Sequence, residues 1–146
     1  MKDKIFNLAY NFRKAIEFTS SKDLIITLQN FPKGSCGDAS LLLARYLQEN
    51  DISPIYYTYG IKSTSKKSIS PSHAWLKYKD LIIDITANQF DEISKKVIVT
   101  TNNKLYSGFK IRDRFVADYR NRYNKADVLD LDNSYKQIIK NIDKIK

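Results

Sequence analysis

Ile5, Leu8, Ala9, Phe12 and Ile16 recur three or four residues apart, so residues 3–18 are predicted to form an amphipathic helix with one apolar face. Ser20 or Ser21 can cap a second, short helix running to about Asn30, which Pro32 and Gly34 then end. A third helix is expected from Ser35 or just after it. Its apolar stripe is Ala39, Leu42, Leu43, Tyr46 and Leu47, and Asp38 lies in its first turn, where the helix dipole favours an acid.

Beyond Asp51 the period changes. Residues 54–60 carry Ile55, Tyr56, Tyr57, Thr58 and Tyr59, a β-branched and aromatic run that predicts a strand. Residues 61–71 are polar and rich in Ser and Lys, as in a loop or hairpin end. Strands are expected over 72–78 and 81–86 around Lys79-Asp80, and again over 97–101. After Gly108 the chain becomes charged and aromatic, and a closing helix is expected from about Asp132 to Ile145. Helices, then an antiparallel sheet, then a helix read as an α+β fold in one domain spanning 1–146. The catalytic core of that domain is expected at about 29–101, with 102–146 as a C-terminal helical extension.

The hairpin has a definite register. If Lys79-Asp80 is a two-residue turn, Tyr78 faces Leu81, Trp75 opposes Asp84 and His73 opposes Thr86. Ala74, Leu76, Tyr78, Leu81, Ile83 and Ile85 then share a wholly apolar face, which must be core. His73, Trp75, Lys77, Ile82, Asp84 and Thr86 share the other. His73 and Asp84 become diagonal neighbours, roughly 5–8 Å apart at Cβ, close enough for a carboxylate to hold an imidazole. Asp is uncommon in strands, and one placed among Leu81, Ile82, Ile83 and Ile85 costs several kcal/mol unless paired. An Asp at a strand end facing solvent is the alternative.

Composition narrows the chemistry. The 146 residues suit one globular domain, and 42% hydrophobic content supplies a core. One Cys excludes an internal disulfide and a Cys-based zinc site, and one His excludes multi-histidine metal motifs, so no metal or cofactor is expected. Uncharged apolar runs reach about five residues, against the roughly 20 needed to cross a bilayer. The opening residues interleave charge and apolar side chains, unlike a secretory signal, and with a lone thiol a cytoplasmic location is expected. The net charge of +9 is diffuse, with 10 basic against 6 acidic residues before His73 and 15 against 10 after it. Such an excess suits an acidic partner but lacks the clustering that a nucleic-acid site needs.

The single Cys, in Lys33-Gly34-Ser35-Cys36-Gly37-Asp38, falls at the mouth of the third helix between two of the four glycines. Unpaired N–H groups and the positive end of the dipole there stabilise a thiolate. The alternative is a small buried hydrophobe. The only Cys at a helix start, and the only His on one face with an Asp, together point to nucleophilic catalysis.

Gly34-Ser35-Cys36 followed by an apolar helix, then His73-Ala74-Trp75-Leu76 and Asp84-Ile85-Thr86, resemble the core of the transglutaminase-like superfamily within the papain-like cysteine-hydrolase fold. The likeness covers about residues 29–90. Ile85 stands where many members have Pro, no acidic calcium cluster is evident, and residues 102–146 match no such pattern. The resemblance implies acyl transfer through a thioester on a peptide or protein substrate. Cys36 would attack an amide carbonyl, His73 would move the proton, and Asp84 would fix the imidazole tautomer. The Cys36 N–H and a side-chain amide just upstream, Gln29 or Asn30, would bind the oxyanion. Trp75 would wall the cleft or pack against the Cys helix. A protease or a Gln/Asn deamidase leads, and the same triad could instead pass the acyl group to an amine. A reading of a different class, a basic binding module, rests on Arg112-Asp113-Arg114-Phe115 and Tyr119-Arg120-Asn121-Arg122-Tyr123. Arg112, Phe115, Tyr119 and Arg122 fit helical spacing, but Asp113 and Asp118 interrupt the positive field, so a solvated, partly packed helix is expected there.

Overall fold

The structure, a computed structural model, describes residues 1–62 and 71–145. Helix α1 (Lys2–Phe18) buries Ile5, Ala9, Phe12 and Ile16, the stripe that its spacing predicts. It ends where Thr19 turns extended and its hydroxyl donates to the Ala15 carbonyl at 2.7 Å. The second helix expected over residues 20–30 does not form. Two 3-10 turns, Ser21–Asp23 and Ile26–Leu28, flank an extended Leu24 and Ile25. Leu24 is buried in the core, and the Ile25 N–H donates at 2.8 Å to Ser134 Oγ of the closing helix. The β-branched run Ile25-Ile26-Thr27 has little helix propensity to set against that tertiary anchor.

Gly34, at φ +71°, turns the chain into α2 (Cys36–Glu49), a conformation that favours glycine. Ser35 leaves the helix uncapped, because its buried hydroxyl donates to the Thr27 carbonyl at 2.7 Å. Ala39 to Ala44, Tyr46 and Leu47 are all buried, so α2 is the central helix of the core.

Five strands form one antiparallel sheet in the order β4-β3-β2-β1-β5: β1 (Tyr56–Lys62), β2 (Ser72–Tyr78), β3 (Leu81–Asp84), β4 (Ile98–Thr100) and β5 (Phe109–Val116). The β2–β3 hairpin pairs Tyr78 with Leu81 and Leu76 with Ile83, the register that a Lys79-Asp80 turn predicts. Leu76, Tyr78, Leu81, Ile83 and Ile85 join the main core with α1 and α2, while Trp75 and Ile82 on the opposite face form a small second cluster with Tyr106 and Phe109. The expected strand 81–86 stops at Asp84, since the Thr86 N–H and hydroxyl fold back onto the Asp84 carboxylate. Of the expected loop 61–71, Ile61 and Lys62 extend β1, and 63–70 lie outside the described residues.

Residues 112–122 are not the helix expected from their spacing. Residues 109–116 pair along the free edge of β1, and Asp118 then caps a 3-10 turn, Tyr119–Asn121. The β1–β5 contact is close at Gly60, where an added Cβ would lie 2.9 Å from Phe109 Cβ and 3.2 Å from the Lys110 carbonyl. Helix α3 (Lys125–Ile145) begins seven residues before the expected Asp132, because Asn124 Oδ1 accepts the Asp127 N–H at 2.8 Å and caps it. It packs on α1 through Leu131, Tyr135, Ile138 and Ile142. Residues 102–145 are therefore no helical appendage: they supply β5, Tyr106 and one layer of the core. No helix among the described residues is long and apolar enough to cross a membrane.

Candidate active site

The hairpin and the start of α2 bring Cys36, His73 and Asp84 together. His73 is buried at the start of β2 and Asp84 is buried at the end of β3, not turned to solvent. His73 Nε2 lies 2.6 Å from Asp84 Oδ2. The same Oδ2 accepts the Tyr106 hydroxyl at 2.8 Å, while Oδ1 accepts the Thr86 N–H at 2.9 Å and the Thr86 hydroxyl at 3.3 Å. Both oxygens of a carboxylate removed from water are thereby satisfied, the condition for keeping it charged in the interior. The apolar strand around Asp84 is tolerable for that reason.

Cys36 is half-buried at the first position of α2, within electrostatic reach of the His73 ring and the Ala74 amide. Burial pushes its thiol up, but His73, by hydrogen bonding and charge, and the Ala74 N–H outweigh this and hold it below the ordinary thiol value. For His73, burial disfavours the charge, yet the Asp84 carboxylate, followed by Cys36, raises the imidazole to about 9. The two shifts run in the directions that favour a thiolate–imidazolium pair at neutral pH. Burial and the Asp84 charge raise Tyr106 far above its usual value, so its hydroxyl stays protonated and donates.

Asp84 occupies Nε2, so a proton passing between Cys36 and His73 must use Nδ1. Gln89 reaches that nitrogen at 2.8 Å from a 3-10 turn (Ala87–Gln89) just after β3, and its amide N–H donates there only while Nδ1 is unprotonated, so a proton arriving from Cys36 displaces it. Around Cys36 the surface opens into a cleft of about 470 Å³ lined by Lys33, Gly34, Pro71, Ser72, Gln89 and Phe90.

Gln29 and Asn30, expected as oxyanion donors, are exposed and absent from this cleft. The Gln29 amide donates to the Leu24 carbonyl at 3.1 Å instead, which follows from the 3-10 turns that replace the expected helix. The side-chain amide that shares the cleft with Cys36 is Gln89, supplied from downstream. Trp75 neither walls the cleft nor packs on the Cys helix. It is buried behind His73, ring centroids 5.9 Å apart, and contacts Tyr106 at 4.9 Å and Phe109 at 5.6 Å. It fixes the floor on which the imidazole and the Tyr106 hydroxyl rest. Thr86 belongs to the Asp-x-Thr motif and was visible in sequence, whereas Tyr106 and Gln89 carry no local signal. Among the described residues, no three His, Cys, Asp or Glu side chains converge as a metal site.

A scan against known protein families matches none of them, and searches of curated proteins and of solved structures return no match.

Proposed function

We propose that the protein is a cysteine-dependent amide hydrolase, a protease or a Gln/Asn deamidase, acting on a peptide or protein through a thioester. The observation that carries this reading is the His73–Asp84 bond at 2.6 Å beside a thiol held below its ordinary pKa at a helix start. The motifs at Cys36, His73 and Asp84 further suggest a papain-like core of the transglutaminase-like type. Cys36 thiolate attacks the amide carbonyl carbon, and the carbonyl electron pair moves onto oxygen. On this reading the Cys36 N–H and the Gln89 amide, released once Nδ1 is protonated, donate to that oxyanion. His73 gives its Nδ1 proton to the leaving nitrogen as the C–N bond breaks, leaving a thioester on Cys36. A water molecule, deprotonated by His73, then attacks the thioester carbonyl and releases the acid and the thiol. Asp84 keeps Nε2 protonated throughout, which presents Nδ1 as the working nitrogen.

The basic-module reading loses support where its cations and rings are already engaged. Arg122 lies 3.6 Å over the Phe115 ring and pairs with Asp113, Arg120 pairs with Asp118, and Tyr57 stacks on Phe115 at 4.7 Å.

The test is intact mass after incubation with a peptide library rich in internal Gln and Asn. Wild type should give a transient acyl adduct on Cys36 and hydrolysed product, and Cys36→Ala should give neither. Equal product from both proteins would overturn the proposal.

A further inference from the structure

On its other side His73 faces a second space, which the chemistry above does not use. It is a cavity of about 200 Å³ whose walls include Phe90, Leu105, Tyr106 and Phe109, together with His73 and Asp84. Phe90 stands edge-on to the imidazole, centroids 5.2 Å apart, and Phe109 lies 6.1 Å from it. The polar atoms on the inner wall are committed: both Asp84 oxygens are occupied, the Tyr106 proton goes to Asp84, and the His73 nitrogens are taken by Asp84 and Gln89. A polar group seated against that inner wall would shed water without a replacement bond, whereas an apolar one would not. Exposed Lys62 and Glu92 also line the cavity, one charge of each sign, so it has no net preference for a charged ligand. Its volume is in the range that admits a single ring, since an apolar cavity of about 150 Å³ already binds benzene. Pro71 and Phe90 line both this cavity and the Cys36 cleft, so the two spaces adjoin.

We infer that this cavity is a specificity pocket that holds one uncharged aromatic or branched aliphatic side chain of the substrate, next to the amide presented to Cys36. The inference rests on the reading of Cys36 as the nucleophile, and the test separates the two. Alkylation of Cys36 by N-benzyl iodoacetamide and by iodoacetamide is compared, each rate divided by that for free cysteine. The benzyl reagent should be preferred by about tenfold, the scale of discrimination that one buried apolar group provides in an enzyme pocket. Leu105→Trp, at a position 38% exposed on the cavity wall, should bring that ratio close to one. In parallel, benzyl alcohol is titrated into Cys36→Ala and followed by the ring resonances of Phe90, Tyr106 and Phe109, where saturable shifts are expected. Failure of iodoacetamide to label the folded protein would count against the nucleophile, and the titration would still decide the pocket. Absence of saturable shifts, or a benzyl ratio near one in a protein that iodoacetamide labels, would overturn the pocket.

Discussion

Tyr106 donates its hydroxyl at 2.8 Å to the Asp84 oxygen that also meets His73 Nε2. The two residues are 22 positions apart, and their bond ties the loop before β5 to the end of β3. Asp84 therefore holds its place by several donors and not by His73 alone. Tyr106→Phe should cost about 1 kcal/mol, the net worth of a single hydrogen bond, and should reduce turnover less than any change at Asp84. Asp84→Asn should fold yet lose about 10³–10⁴-fold in turnover, as when a triad imidazole keeps its position but takes the wrong tautomer. Asp84→Ala should also lose stability, by about 1–3 kcal/mol, because a buried donor is left unpaired. Urea midpoints and turnover on a common substrate check the order.

His73 also sets a pH dependence of stability. Its folded value is raised to about 9 from an ordinary 6.5, so folding favours the protonated ring. Its contribution is complete below about pH 6.5, declines above that, and is gone once the pH passes about 9. With the thiol removed, so that only the Asp84 pairing is read, the stability gap between Cys36→Ala and the Cys36→Ala/His73→Asn double variant, from urea unfolding, should shrink from pH 6 to pH 9.5. A gap that widens over that range would contradict the pairing with Asp84.

The two amides should behave differently. Gln89→Ala removes the group 2.8 Å from Nδ1 and should lower kcat while shifting the pH profile of turnover. Gln29→Ala should leave both unchanged, since its amide serves the Leu24 carbonyl. Steady-state kinetics across pH 5–10 distinguishes them.

Gly60 offers a structural check on how β5 is held. An alanine there would press on Phe109 Cβ at 2.9 Å and on the Lys110 carbonyl, and neither can move without parting β5 from β1. Gly60→Ala should cost about 1–3 kcal/mol, the range for overpacking a tight contact, as read from the thermal midpoint.

What could be read from sequence was the part governed by local geometry. A two-residue turn at Lys79-Asp80 fixes the hairpin register, and the period of two then places His73 and Asp84 on one face without knowledge of the rest of the fold. The start of α2 at Cys36 was legible from Gly34 and the apolar stripe behind it. The misread elements were settled by distant partners. Arg112, Phe115, Tyr119 and Arg122 fit helical steps, but the free edge of β1 claims 109–116 as a strand. Leu24 and Ile25 are drawn out of a helix by the core and by Ser134. Tyr106 and Gln89 reach the site only through the folded chain, one among ten tyrosines and the other three residues beyond a motif.

The central claim is that His73 activates Cys36, and the rate of Cys36 alkylation by iodoacetamide against pH tests it most directly. In the folded wild type, labelling should be fast at pH 7 and fall only as the pH drops through the lowered value of the thiol. In His73→Ala, the profile should move up toward that of an ordinary thiol, so that at pH 7 a smaller fraction is thiolate and labelling is slower, by about tenfold if the profile moves one pH unit. Labelling of wild type only after denaturation, or identical profiles for the two proteins, would contradict the account.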